Sequence, residues 1–463
     1  MEHSDIITAI STPAGVGGIS IVRLSGKGCI ELVDTVFSSP SGKKLAEQRA
    51  NTIHFGSILK DDFVLDEVLV SIFRNPNSFT GEDSVEISCH GSIYIQQEIL
   101  KLLLGSGARL ATAGEFTQRS FLNGKMDLSQ AESVADLIAS TSASTHRLAM
   151  NQMRGSFSNK LIELRTDLLN FTSLIELELD FSEEDVEFAN RDNLKQATKK
   201  IEEHIQKLSD SFALGNVIKN GIPVAIIGET NAGKSTLLNL LLKEDKAIVS
   251  NIHGTTRDVI EDTININGLL FRIIDTAGIR DTYDEIESLG IERTFKKLEQ
   301  ASIVIWLADA EADDVHTVDL SKKILPLAEG KKLILAFNKV DTISVSRKEQ
   351  KMELLKDEIP DRIFISAKYQ QGTDELQNLL VEAANIPQFG EQDVVVTNIR
   401  HYEALQKALV AIQRVSDGLE NGISGDFLSQ DIRECIHYLG EITGQISTDE
   451  ILGNIFSKFC IGK

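Results

Sequence analysis

Cysteine, proline and positive charge are all scarce in this sequence. Only four cysteines occur in 463 residues (Cys29, Cys89, Cys435 and Cys460), and no two form a CxxC pair. That spacing excludes a disulfide scaffold or a zinc framework and predicts free thiols in a reducing, cytoplasmic compartment. No apolar run approaches the ~18–20 residues of a membrane span, so no membrane association is expected. The start, Met1-Glu2-His3-Ser4-Asp5, is acidic and lacks the apolar core of a signal peptide, which argues against secretion. Lysine and arginine number 47 against 69 acidic residues, a formal charge of −22. Proteins that grip nucleic acid through their own surface are usually basic or carry a basic tract. Here even the longest basic clusters, such as Lys199-Lys200, are short, so an RNA substrate would need a partner protein or a local patch for its electrostatic grip.

The positions of the seven prolines lay out the chain. None falls between Pro76 and Pro223 and none follows Pro387. Proline breaks helix interiors, so both tracts are open to long helices. In the first, Leu161, Leu164, Leu168, Phe171 and Ile175 step by three and four residues, the signature of a helix-packing seam. Leu405, Leu409, Ile412 and Val415 form a similar stripe, and Ser447-Thr448-Asp449-Glu450 reads as a capping box opening a last helix. The economical reading is one discontinuous helical domain, 121–215 and 385–463, around an inserted domain at 216–384. Two separate helical units are the alternative, and periodicity does not decide between them. A hydrophobic content of 42% with 25% charged residues suits a globular chain of two to four domains.

Residues 1–120 read as an α+β domain. Strand patterns at 5–11 and 18–24 flank a loop with Pro13, Gly15 and Gly17, and two more at 66–73 and 83–90 flank Asn75-Pro76-Asn77. A helix follows at 93–104. His90 reads as a satisfied histidine at a strand end. The seven carboxylates between Glu176 and Glu187 fit no liganding loop and read as a solvated helix end.

The chemistry concentrates in the inserted domain. The apolar strand Ile222-Pro223-Val224-Ala225-Ile226-Ile227 runs into Gly228-Glu229-Thr230-Asn231-Ala232-Gly233-Lys234-Ser235-Thr236, followed by a leucine-rich helix. This is the phosphate-cradling P-loop: backbone N–H groups and a helix N-terminus face the phosphates, Lys234 supplies a charge, and the Ser235 hydroxyl is placed for Mg²⁺. Gly254-Thr255-Thr256-Arg257-Asp258 offers a threonine for Mg²⁺, with Thr255 and Thr256 both open. Asp275-Thr276-Ala277-Gly278 ends a strand and brings a carboxylate towards the metal. Asn338-Lys339-Val340-Asp341 follows the strand 333–337. Asp341 can accept from N1 and N2 of guanine, a donor pair that adenine lacks, so this element selects GTP. Ser366-Ala367-Lys368, after a strand at 363–365, would support the base. Four elements in order, each at a strand end, define a doubly wound, Ras-like α/β GTPase domain. Ile279 stands where Ras-like enzymes carry the glutamine that orients water. Another polar group must therefore serve, and the loop 280–287 contains Asp281, Asp284, Glu285 and Glu287.

Taken together, the chain resembles the MnmE (TrmE) family of bacterial tRNA-modifying GTPases over essentially its whole length. The likeness rests on the P-loop, on Gly254-Thr255-Thr256-Arg257-Asp258, and on Asp275-Thr276-Ala277-Gly278-Ile279-Arg280. It also rests on Phe79-Thr80-Gly81-Glu82-Asp83 and the ending Phe459-Cys460-Ile461-Gly462-Lys463. The resemblance implies an N-terminal folate-binding, dimerising domain with contacts at Arg23, Glu82, Lys125 and Lys463. It implies a homodimer that forms a heterotetramer with the FAD- and NADH-dependent partner MnmG. Together they would modify C5 of the wobble uridine of certain tRNAs, placing a carboxymethylaminomethyl or aminomethyl group. The carbon would come from 5-formyl- or methylene-tetrahydrofolate. GTP hydrolysis would need K⁺, held by Asn231, Ser250, Ile252 and Thr255, with Thr256 on Mg²⁺ and Glu287 positioning water. Cys460 would be either a reactive thiol or a structural one. Thr230 departs from the proline common in the family's P-loop and loosens the loop slightly. A GTPase switch in ribosome assembly, like Era or the Der proteins, is the alternative. It would want a basic RNA-binding module, whereas residues 388–463 hold six Lys/Arg against eleven Asp/Glu.

Overall fold

The computed structural model describes residues 5–61, 63–180, 191–246, 262–274, 298–387 and 394–462, at 177–180, 191 and 243–246 for the backbone alone. It divides into two compact units. One comprises Met1–Ile138, Gln152–Glu202 and Lys407–Lys463, the other Ala139–Asn151 and Glu203–Gln406. The described helices begin with α1 (Cys29–Asp34), α2 (Ile93–Gly105), α3 (Glu115–Leu122), α4 (Leu128–Ala139), α5 (Ala143–Met153), α6 (Ser156–Asp180) and α7 (Arg191–Asn220). They continue with α8 (Lys234–Lys246), α9 (Asp314–Ile324), α10 (Val345–Glu353), α11 (Thr373–Ala384), α12 (Ile399–Glu420), α13 (Gly425–Thr443) and α14 (Asp449–Phe456). Among the described residues no helix is long and apolar enough to cross a membrane.

The first unit holds a seven-stranded sheet of β1 (Ile7–Ile10), β2 (Gly17–Ser25), β3 (Phe37–Ser38), β4 (Thr52–Lys60), β5 (Phe63–Phe73), β6 (Ser84–Gly91) and β7 (Arg109–Leu110), in the order β3-β4-β5-β6-β2-β1-β7. Strict alternation sends Val68, Val70 and Ile72 of β5 and Val85 and Ile87 of β6 to one face. There they bury against Ile30 and Val33 of α1 and Ile99 and Leu103 of α2. Each such side chain contributes roughly 1.5–3 kcal/mol. The opposite face keeps Ile53 (67% exposed), Phe55 (53%) and Leu69 (46%) in solvent, with Phe55 directly across from Leu69. His90 ends β6 as the sequence suggests: its backbone N–H donates to Asp66 Oδ2 at 2.8 Å and its Nδ1 lies 2.7 Å from Asp66 Oδ1.

The seam read in the sequence is buried throughout: Leu161, Leu164, Leu168, Phe171 and Ile175 are all at most 4% exposed. Their helix, α6, packs against α13, which buries Leu428, Ile432, Cys435, Leu439 and Ile442. Leu405, Leu409, Ile412 and Val415 of α12 are buried as well. The cap of α14 differs from the expected box. Its N-cap is Thr448, one residue beyond Ser447, and its hydroxyl accepts from Ile451 N at 3.3 Å. Position N3 is therefore Ile451 rather than Glu450, because Leu452 and Phe456 must face Leu128 and Ala131. Cys29, Cys89 and Cys435 are buried and Cys460 is exposed. Burial pushes the Cys435 thiol up to about 12, which leaves it unreactive.

The second unit is built on β8 (Ile222–Ile227), β9 (Asp262–Ile266), β10 (Leu269–Ile273), β11 (Ile303–Asp309), β12 (Lys332–Asn338) and β13 (Arg362–Phe364), ordered β13-β12-β11-β8-β10-β9. All neighbours are parallel except the β9–β10 hairpin. All six residues of β8 are buried, as a strand covered on both faces requires. From β8 the chain passes to β9 and β10 on one side and only later to β11 on the other. The end of β8 is thus the topological switch point, where open α/β sheets bind ligands. At the far end of the hairpin, Asn267 and Gly268 both take positive φ (51° and 83°), as a two-residue turn demands. This turn docks on the start of α5. Gly268 O accepts from Ser144 N at 3.2 Å and Asn265 Nδ2 donates to Thr141 O at 3.1 Å. Ser142 caps α5 by accepting from Thr145 N at 3.2 Å.

The α6 seam gives a direct test. Leu168→Ala leaves a cavity and should destabilise its unit by roughly 2–5 kcal/mol. Leu169→Ala, at a half-exposed neighbour, should stay within about 0.5 kcal/mol. Urea titration followed by far-UV circular dichroism distinguishes the two.

Candidate functional site

The P-loop leaves the buried end of β8 and turns into α8, whose Leu237, Leu238 and Leu241 anchor it to the sheet core. Gly228 (φ 151°) and Gly233 (φ 98°) adopt backbone that side chains avoid, and Asn231 is left-handed at φ 66°. Space is equally restrictive. A Cβ on Gly228 would stand 2.2 Å from Leu307 O, and one on Gly233 would stand 2.2 Å from Asn338 Nδ2. Lys234 Nζ reaches back over the loop to donate to Gly228 O and Glu229 O, both at 2.7 Å. Its charge is therefore held at the mouth of the loop, where phosphate would sit.

Asn338 ties this loop to the base-reading elements. At 4% exposure, its Nδ2 donates to Ala232 O at 2.8 Å and its Oδ1 accepts from Ala367 N at 3.0 Å. Ser366 Oγ donates to Asp341 Oδ1 at 2.6 Å, which fixes the plane of the carboxylate. Lys339, left-handed at φ 66°, pairs with Asp309 Oδ2 at 2.7 Å. Lys368 lies over the Tyr369 ring, 5.1 Å from its centroid. Residues 231–236, Asn338, Lys339, Asp341, Ser366, Ala367 and Lys368 thus gather at the carboxyl ends of β8, β12 and β13. The glycine-lined loop fits a phosphate chain and the oriented Asp341 fits the donor edge of guanine. Ser250, Ile252, Thr255, Thr256, Asp275, Thr276, Ala277, Gly278 and Glu287 lie outside the described residues.

A second cluster lies in the N-terminal domain. Arg23, on β2, donates from Nε and Nη2 to Glu86 Oε1 at 2.9 and 2.7 Å. Its guanidinium lies 5.7 Å from the centroids of both Phe79 and Phe116. Glu82, in the loop between β5 and β6, accepts from Ser25 Oγ at 2.8 Å and Arg119 Nη1 at 3.2 Å on Oε2. Lys125 Nζ donates to Pro76 O of the same loop at 2.9 Å. The C-terminal segment reaches this domain too: Gly114 N donates to Cys460 O at 3.3 Å and Ser11 Oγ to Gly462 O at 3.2 Å. Lys463 lies outside the described residues. The N-terminal domain thus presents a carboxylate, a guanidinium beside two aromatic rings and a surface lysine.

Sequence reading missed Arg119, Ser25 and Asp309. Arg119 did leave a signal, since Glu115-x-x-x-Arg119 is an i,i+4 ion pair on a helix. Asp309 also left one, as an acid closing an apolar strand. Ser25 left none. Burial pushes the Glu115 carboxyl up, but Arg109, the Thr112 N–H and Arg119 outweigh it and hold it at about 2.

A phosphate loop at the switch point, joined through one asparagine to a guanine-reading carboxylate, defines a P-loop GTPase domain. The other parts of the chain narrow this class. The model of the MnmE helical domain matches residues 128–460, and that of the GTP-binding protein TrmE N-terminus matches 6–125. The chain belongs to the MnmE family. It is 60% identical over 465 residues to the tRNA modification GTPase MnmE of Bacteroides thetaiotaomicron, covering 100% of both chains. To the protein of the same name from Flavobacterium psychrophilum it is 52% identical over 466 residues, again covering 100% of both. Among solved structures, Era in complex with MgGDPNP and nucleotides 1506–1542 of 16S ribosomal RNA is 29% identical. That match covers 41% of this chain and 66% of the other, with a TM-score of 0.28.

The base-reading geometry carries a prediction. Asp341→Asn removes a charged acceptor and offers an amide donor in its place. GTP affinity should fall roughly 100-fold, and xanthosine triphosphate, which carries an oxygen at C2, should bind better than GTP. Titration with fluorescent guanine and xanthine nucleotides measures both.

Proposed function

We propose that this chain is a GTP hydrolase that acts in tRNA modification, adding an aminomethyl or carboxymethylaminomethyl group to C5 of the wobble uridine with MnmG. The observation that carries this reading is the guanine-type P-loop site within a chain that matches tRNA modification GTPases from end to end. An Era-like role in ribosome assembly is less well supported, because residues 388–463 hold six basic against eleven acidic residues.

In this reading Lys234 and the backbone of residues 231–236 hold the phosphates, and Asn338, Asp341 and the 366–368 segment hold the base. Ser235 and Thr256 would hold Mg²⁺ beside Asp275 and its neighbours 276–278. Asn231, Ser250, Ile252 and Thr255 would hold K⁺. When bound, these cations neutralise charge that develops on the transferred phosphoryl oxygens. Glu287 would orient the attacking water, the task that Ile279 cannot perform. Arg23, Glu82, Lys125 and Lys463 would hold the tetrahydrofolate that supplies the one-carbon unit. The domain limits proposed are 1–120, 121–215 with 385–463, and 216–384; the packing of α6 on α13 supports joining the two helical segments. Homodimerisation through the N-terminal sheet would cover the exposed Ile53, Phe55 and Leu69.

Nucleoside mass spectrometry of tRNA from cells lacking this protein tests the proposal. Loss of the modified wobble uridine is expected, and unchanged tRNA would refute it. Separately, GTP turnover should rise strongly in K⁺ over Na⁺, and Glu287→Ala should abolish turnover while retaining GTP binding. Equal turnover in the two salts would remove K⁺ from the mechanism.

A further inference from the structure

Arg119 is 1% exposed, and burying a guanidinium demands acceptors on every side. It finds them one turn back on its own helix, at Glu115, and in two segments remote in sequence, at Asp5 and Glu82. Nη2 donates to Asp5 Oδ1 at 2.7 Å and Glu115 Oε1 at 3.0 Å. Nη1 donates to Asp5 O at 2.9 Å and lies 3.2 and 3.4 Å from Glu82 Oε2 and Oε1. Among the described residues, Arg119 Nε, buried as well, has no acceptor. Among the described residues, two cations, Arg109 and Arg119, face three carboxylates, Asp5, Glu82 and Glu115. Arg109 takes Glu115 with two bonds, at 2.6 and 3.1 Å, and Asp5 with Glu115 already satisfies the charge of Arg119. Glu82 is the surplus anion, held by longer contacts and by Ser25.

A surplus carboxylate is costly if it only fills space, because it could be replaced by an amide. Glu82 keeps 16% of its side chain exposed, and among the described residues its Oε1 receives only the 3.4 Å contact. In the same loop the ring of Phe79 is 39% exposed, and with Phe116 it flanks the Arg23 guanidinium. A carboxylate held by fixed donors on one oxygen, with its other oxygen nearly open, suits a heterocycle that presents two adjacent N–H donors. The 2-amino-4-oxopyrimidine edge of a pterin is such a group.

We infer that Arg119, together with Ser25, is a positioning clamp that fixes the plane of Glu82 for the paired N–H donors of a pterin ring. This rests on the folate reading given above. Arg119 acts through Glu82 and does not itself touch the ligand.

The test is calorimetric titration of the full chain with 5-formyltetrahydrofolate and with its 2-desamino-2-methyl analogue, which lacks one donor. The variants are Arg119→Lys, Glu82→Gln and the double substitution. The unaltered chain should prefer 5-formyltetrahydrofolate about tenfold or more. Arg119→Lys should weaken that ligand at least about fivefold while leaving the analogue within about twofold, so the preference collapses. The double variant should match Glu82→Gln, since two residues acting through one contact are not additive. Equal weakening of both ligands, losses that multiply in the double variant, or unchanged affinity would each overturn the clamp. If Arg119→Lys does not fold, Ser25→Ala loosens the same carboxylate and is held to the same outcomes. Failure of the unaltered chain to bind 5-formyltetrahydrofolate at all would instead overturn the folate reading, and the clamp with it.

Discussion

Asn338 spends both ends of its amide on backbone: one on the carbonyl of Ala232, the other on the N–H of Ala367. Asn338 lies 106 residues from Ala232 and 29 from Ala367, and its side chain joins the three segments 228–236, 338–341 and 366–368. Each bond is worth only about 0.5–1.5 kcal/mol, but an orphaned partner in so dry a place would cost about 1–3 kcal/mol. Gly233 leaves the 2.2 Å approach open by having no Cβ. The phosphate loop and the base-reading carboxylate therefore behave as one rigid piece, and nucleotide specificity is built into the same bonds that shape the loop.

Much of this could be read directly from the residues. A strand of six buried residues ending in a glycine-rich loop has few other meanings, and neither does an asparagine, lysine and aspartate at the end of a second strand. The helix seam through Leu161 and Ile175 was equally plain, because a 3.6-residue period survives any tertiary context. What could not be read was the pairing of distant charges. Nothing in the sequence near Glu82 points to Arg119, and nothing near Arg119 points to Asp5, since electrostatic partners obey no period. The α14 cap shows a subtler limit. Local chemistry favoured Ser447 and Glu450, but packing of Leu452 and Phe456 against α4 set the helix phase, and the cap moved to Thr448.

The two clusters use charge in opposite ways. Around the P-loop, the Lys234 ammonium donates to the backbone carbonyls of Gly228 and Glu229 and that of Lys339 to Asp309. Around Arg119 both terminal nitrogens of the guanidinium are engaged by acids, and Glu115 is held at about 2. The first arrangement points the Lys234 cation at the phosphate loop; the second is a scaffold with one edge left open at Glu82.

The β9–β10 turn bears on where this protein can be extended. Its carbonyl at Gly268 serves as an acceptor for Ser144 at the start of α5, and a Cβ there would already stand 3.2 Å from Ala143. Surface hairpins are ordinarily the safest places to graft a tag or a reporter. This one is closed to such use. An insertion between Asn267 and Gly268 would lengthen the turn, pull a hydrogen-bond acceptor from a helix N-terminus and wedge the two elements apart.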